Sequence, residues 1–203
     1  MTAWPNYITA IETALGRGDA TEHTHRPALK ALVESVGRTL LSVPVTAVNE
    51  PRRVECGAPD FTVSKKLENN PFNIGYIETK DVGVSLDQAE KSEQLKRYRR
   101  SLGNLLLTDY LEFRWYVDGD LRMSARLARL TKEGKVKSTK EDREKVEQLF
   151  TAFFHHEPEP ISRPKDLAVR LARIAHIIRE IIIDSFDTGN EGPLIKNVRM
   201  IFK

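Results

Sequence analysis

Apolar positions recur at helical spacing through the first forty residues and then change to the period of a strand. Ile8, Ile11 and Leu15 fall on one side of a helix over residues 4–16, which Gly16-Arg17-Gly18-Asp19 ends. Thr21 stands as the N-cap of a second helix running to residue 41, with Leu29, Leu32, Val33 and Val36 on one face. Pro27 lies in its first turns, where proline is tolerated only near the start, so the ordered helix is expected to begin at His25 or Arg26. Strands are predicted over 43–48, 59–65 and 72–80, with a loop over 52–57 and a polar connection containing Asn69-Asn70-Pro71. A helix over 87–100 has Leu95 and Tyr98 among its few apolar positions. Residues 104–109 read as a buried strand and 112–117 as an alternating one. Asp118-Gly119-Asp120 is a hairpin turn, and 121–130 is a further strand. A helix over 138–155 carries Val146, Leu149, Phe150 and Phe153; Glu157-Pro158-Glu159-Pro160 then breaks the chain. Leu167, Leu171, Ile174, Ile178 and Ile181 stripe one last long helix, best read as a packing face. This order predicts an α/β fold: a mixed central β-sheet flanked by helices, with a C-terminal helical connector.

Composition narrows the class. The 203 residues fit one domain, or one domain with a helical appendage. Hydrophobic content of 40% is enough for a core, and 30% charged residues suit a soluble, cytoplasmic protein. No apolar run is long enough to span a bilayer, and the start lacks the basic-then-apolar pattern of a signal peptide. One cysteine, Cys56, excludes a disulfide framework and a Cys-rich zinc site, and without an adjacent base it is a poor nucleophile. The net charge of +3 does not announce a nucleic-acid binder; the distribution of charge says more. Lys91, Lys96, Arg97, Arg99 and Arg100 crowd one predicted helix, and a second basic stretch runs from Arg122 to Lys145 through Arg126, Arg129, Lys132, Lys135 and Lys137. Either could follow a phosphate backbone or form a solvated face. The chain stops at Lys203 inside an amphipathic pattern, which implies a piece excised from a longer protein.

The candidate chemistry sits on two neighbouring strands. Glu78 and Lys80 are two apart, so on a strand they share a face, and Asp60 opens the strand before. Two carboxylates can hold a hard divalent cation, and a lysine beside them can orient water or stabilise charge. The plainer reading has Asp60 and Glu78 as solvated strand ends. Glu22 could approach the same metal, or serve only as an acid favoured by a helix N-terminus. Arg26 could meet a phosphate, or pair with Glu22 at i,i+4, the safer reading. His23 and His25 diverge on a helix and do not make a zinc pair. Gln94 and Tyr98, four apart, share a helical face; Tyr98 could equally be core and Gln94 surface.

Pro59-Asp60, Glu78-Thr79-Lys80 and the Gln94…Tyr98 pair, in that order, resemble the PD, ExK and QxxxY elements of the PD-(D/E)XK nuclease superfamily. With Thr21-Glu22-His23-Thr24-His25-Arg26-Pro27-Ala28-Leu29 ahead of them, the resemblance is closest to the N-terminal nuclease domain of single-chain restriction-modification enzymes (type IIG and type ISP), and it covers roughly residues 1–120. It implies a restriction-endonuclease-like core over 1–135 and a helical extension over 136–203 leading to a downstream domain. It implies a Mg²⁺-dependent DNA endonuclease, with Mn²⁺ as a substitute, acting in phage defence. Asp60, Glu78 and Lys80 would be catalytic. Asp60, Glu78, the Thr79 carbonyl and Glu22 would surround the metal, and Gln94, Tyr98, Lys91, Lys96, Arg97 and Arg100 would meet DNA. Implied partners are double-stranded DNA, methyltransferase and target-recognition domains of the parent chain, and a second copy in a transient dimer for double-strand cleavage. The alternative is a catalytically silent nuclease-like DNA-binding or assembly module.

Overall fold

The structure, a computed structural model, describes residues 3–51, 57–67, 70–131 and 134–157, together with the helical positions 168, 171, 172, 175 and 179. Two helices come first, α1 (Ala3–Leu15) and α2 (Glu22–Leu41). Strands β1 (Val45–Asn49), β2 (Phe61–Leu67) and β3 (Asn70–Thr79) follow. Helices α3 (Leu86–Ala89) and α4 (Glu93–Ser101) then carry the chain over to β4 (Asn104–Thr108), β5 (Glu112–Val117) and β6 (Asp120–Arg126). A short ribbon, β7 (Arg129–Leu130) with β8 (Val136–Lys137), leads into α5 (Lys140–His155).

The six long strands form one sheet in chain order. All neighbours are antiparallel except β3 and β4, which run parallel with Glu78 opposite Leu107 and Thr79 opposite Thr108. A parallel pair needs a crossover, and α3 and α4 supply it. The predicted α/β fold with a mixed, helix-flanked sheet is therefore observed. β4 shows why both faces are covered: Leu106 joins the core under α1, α2 and α5, while Leu105 and Leu107 join a second core under α3 and α4. All five of its residues are buried, as the unbroken apolar run requires.

The larger core is built on aromatic rings. Phe150 of α5 meets Trp4 of α1 edge-on with centroids 5.4 Å apart, and Phe113 of β5 at 5.2 Å. Helix α5 thus lies beyond the expected division at residue 135 yet shares its core with the sheet. Asn104 fixes its end: its amide donates to the Ile74 carbonyl (2.6 Å) and the Phe153 carbonyl (3.0 Å), while the Trp115 indole donates to its oxygen (2.6 Å).

Several expected boundaries move for local reasons. Helix α2 begins at Glu22, ahead of the expected His25 or Arg26. The Thr24 hydroxyl accepts the Thr21 N–H (3.0 Å), and Asp81 accepts the Glu22 N–H (2.7 Å), so its first turn is anchored despite Pro27. The single helix expected over 87–100 is two, because the Ser92 hydroxyl accepts the Leu95 N–H (3.2 Å) and caps a new start. The strand expected over 121–130 ends at Arg126, where the N–H groups of Leu127 and Ala128 turn onto the Leu111 carbonyl. Asp118 and Gly119, at φ of 49° and 93°, make the predicted hairpin turn. The loop over 52–56, with Cys56, lies outside the described residues. So does the connector helix, except for Ala168, Leu171, Ala172, Ala175 and Arg179, which are helical and exposed.

At Gly75 α5 lies close on the sheet: a Cβ there would lie 2.6 Å from the Phe153 ring. Gly75→Ala is expected to destabilise the protein by about 1–3 kcal/mol, the cost of overpacking a filled core, measured as a lower urea midpoint at unchanged slope.

Candidate functional site

The site forms where β3 ends beside the start of β2. Phe61 pairs with Ile77, which brings Asp60 level with the end of β3. The Asp60 Oδ2 atom accepts the Thr79 N–H at 2.7 Å and lies 2.8 Å from the Thr79 hydroxyl. The Lys80 N–H bonds the Thr108 carbonyl at 2.9 Å, carrying the parallel ladder one residue past β3. Glu78 and Lys80 meet directly: the ammonium donates to Glu78 Oε1 at 2.8 Å. Of the expected residues, Asp60 thus meets Thr79, and Lys80 meets Glu78.

Glu22 arrives from the first turn of α2, with its Oε1 atom 2.8 Å from the Thr79 hydroxyl. That hydroxyl has one proton and stands 2.8 Å from two carboxylates, those of Glu22 and Asp60, so it can donate to only one of them. Glu78 carries an unmet demand: it is 2% exposed and its Oε2 has no hydrogen-bond partner. Burial first, then the charge of Asp60, pushes the Glu78 carboxyl up to about 7, against the opposing pull of Lys80.

Arg26 is the residue whose importance the sequence understated. Its guanidinium donates to Glu22 (2.8 Å), as the i,i+4 spacing suggested, but also to Glu50 (3.0 Å) and, in a very short contact, to Asp60. Glu22, Glu50 and Asp60 therefore share Arg26, while Glu78 pairs with Lys80. Tyr110 holds the start of α2 from behind, its hydroxyl donating to the Glu22 carbonyl at 2.7 Å. His25 is buried against the Tyr110 ring, and burial lowers its pKa, favouring the neutral form; exposed His23 points instead toward Glu50 at 3.9 Å.

Among the described residues, no three His, Cys, Asp or Glu side chains converge as a ready-made cage for a metal ion. The donor set nevertheless fits Mg²⁺, which usually takes one or two carboxylates and completes its shell with water and substrate phosphate. The partnerless Glu78 oxygen is the local demand such an ion would meet.

The residues expected to meet DNA divide. Tyr98 is core, 1% exposed, and receives a hydrogen bond from exposed Gln94 at 3.2 Å. Its ring rests on Gly57, just before Pro59-Asp60; a Cβ at Gly57 would lie 3.0 Å from that ring, and its φ of 128° favours glycine. The pair thus braces the approach to Asp60. Lys91 precedes α4 rather than lying on it, and is exposed, as is Arg100. Lys96 pairs with Glu93 (2.7 Å), and Arg97 is half-buried. Arg99 is structural: it bonds the Gly119 carbonyl and stacks over Tyr116 at 4.8 Å. In the second basic stretch Arg126, Arg129 and Lys145 pair with Glu112, Asp142 and Glu141.

No protein-family model matches the chain, and no curated protein matches it in sequence. A chain of the cryo-EM structure of a DrdV–DNA complex does match in three dimensions, over 77% of this chain and 99% of that one, at a TM-score of 0.59 and 20% identity. The two share a fold. No described helix is long and apolar enough to cross a membrane.

The raised Glu78 pKa has a signed consequence for the metal-free protein. The folded state holds the Glu78 proton up to about pH 7, whereas the unfolded chain releases it near 4.5, so stability falls as pH rises through that window. Urea unfolding at pH 5 and pH 8 is expected to show a loss in the wild type that Glu78→Gln lacks, on the order of 3 kcal/mol at most.

Proposed function

We propose that this chain is a Mg²⁺-dependent DNA endonuclease domain of the PD-(D/E)XK type, from a restriction-modification enzyme acting in phage defence. The observations that carry this reading are the bond from the Thr79 N–H to Asp60 and the bond from Lys80 to Glu78 at the end of β3, with a buried Glu78 oxygen left unpartnered. The fold shared with a chain from a DNA complex supports DNA as the substrate.

A bound Mg²⁺, or Mn²⁺ in its stead, would neutralise charge gathering on a scissile phosphate and lower the pKa of an attacking water. Asp60 and Glu78 would hold the ion, with the Thr79 carbonyl and Glu22 as further donors. Thr79 fixes Asp60 through its N–H, so that carboxylate is oriented before substrate arrives. Lys80, held on Glu78, would orient the water or stabilise the charged transition state. Exposed Lys91, Lys96 and Arg100, with Arg97, would follow the phosphate backbone, and Gln94 with Tyr98 would brace the strand path. Target recognition and methyl transfer would belong to other domains of a longer parent chain, with residues 136–203 as the way into them. Cutting both strands would take two copies brought together transiently.

The hold of Arg26 on Asp60 favours one rival, a catalytically silent DNA-binding module. Supercoiled plasmid with Mg²⁺ or Mn²⁺ separates the two. Metal-dependent nicking is expected from the wild type and should fall about 100-fold or more in Asp60→Ala and Lys80→Ala. Equal background in all three would leave a nuclease that acts only within its parent chain or the binding module, and divalent-metal binding that depends on Asp60 would single out the first. Lys91→Ala combined with Arg100→Ala is expected to weaken duplex binding uniformly across sequences and to flatten the log–log salt dependence by about 2 units.

A further inference from the structure

Arg26 behaves as a cation already resident in the acidic centre. Its side chain is 7% exposed and reaches Glu22, Glu50 and Asp60 at once. The consequence lies in how the carboxylate oxygens are committed. Asp60 gives Oδ2 to Thr79 and Oδ1 to Arg26; Glu22 gives Oε1 to Arg26 and Thr79. A divalent ion that takes Asp60 Oδ1 must therefore share or displace the guanidinium. Glu50 offers the displaced group somewhere to go. It is 68% exposed, already accepts the other guanidinium nitrogen at 3.0 Å, and lies outside the crowded Glu22–Thr79–Asp60 contacts.

We propose that Arg26 is a latch on the metal centre: it neutralises Asp60 and Glu22 in the metal-free protein and withdraws toward Glu50 when a divalent cation binds. The inference rests on the metal-dependent reading above. Arg26 competes for the same oxygens as the cation, so it lowers metal affinity while stabilising the empty centre. A guanidinium suits this role, being a fixed planar fork that spans two carboxylates and a weakly hydrated ion that tolerates burial.

The test is calorimetric titration of the DNA-free chain with Mn²⁺, alongside thermal unfolding with and without Mn²⁺. Arg26→Gln is expected to bind Mn²⁺ about tenfold tighter than the wild type, within the usual range for coupled sites. Its Tm should be lower without metal and should rise more than that of the wild type when Mn²⁺ saturates. Glu50→Gln, which removes the charge that receives the guanidinium, is expected to bind Mn²⁺ more weakly, and Arg26→Gln added to it should restore binding. Arg26→Lys, whose ammonium cannot fork across two carboxylates, carries the same prediction in milder form should Arg26→Gln fail to fold. Equal or weaker Mn²⁺ binding in the folded Arg26 variant, with wild-type binding intact and dependent on Asp60, overturns the latch and leaves the metal reading standing. Absence of Asp60-dependent Mn²⁺ binding in both proteins overturns the metal reading, and the latch with it.

Discussion

Asp60 ties the centre together because one of its oxygens accepts the Thr79 N–H. That bond joins a residue before β2 to the last residue of β3, across a strand pair whose register already aligns Phe61 with Ile77. Everything else in the site is arranged around it. Glu78 lies one residue back and faces the opposite side of the strand from Thr79; Lys80 lies one residue on. The start of α2 closes over Thr79 with Glu22 and Arg26.

The sheet gives that anchor its rigidity. β3 is paired on both sides, by β2 antiparallel and β4 parallel, and each face of the sheet has its own helices and core. Helix α2 approaches from one face and contributes Glu22 and Arg26. Helix α4 covers the other and, through Tyr98, packs on Gly57 beside Pro59. The residues that bear charge thus stand on, or directly beside, elements fixed by apolar packing. This is how a buried carboxylate without a full set of partners can be held in place.

Much of this was legible in the sequence, because local patterns carry it. Strand periodicity put Glu78 and Lys80 on one face, the apolar run of β4 announced a strand buried on both sides, and i,i+4 spacing paired Arg26 with Glu22. The features that escaped notice depend on chain segments far apart. Arg26 reaches Asp60 34 residues on, and nothing in their local sequence signals that contact. The Thr79 hydroxyl between two carboxylates is a product of how α2 packs on β3. Ser92 was a readable cap, but the charged run around it masked the break between α3 and α4. Pro27 misled because a proline near a helix start usually marks that start, whereas here Asp81 anchors the chain five residues earlier.

The Tyr110–Glu22 contact, which spans 88 residues of sequence, bears on when the centre can come into being. That contact completes only once Tyr110 has been made, and the rings of α5 that fill the core arrive later still, at Phe150 and Phe153. Contacts of such separation form late and slowly, after their loop-closure entropy has been met by the surrounding sheet. A chain still leaving the ribosome therefore carries its acidic and basic residues without the constellation they make. Assembly of the centre is coupled to completion of the fold.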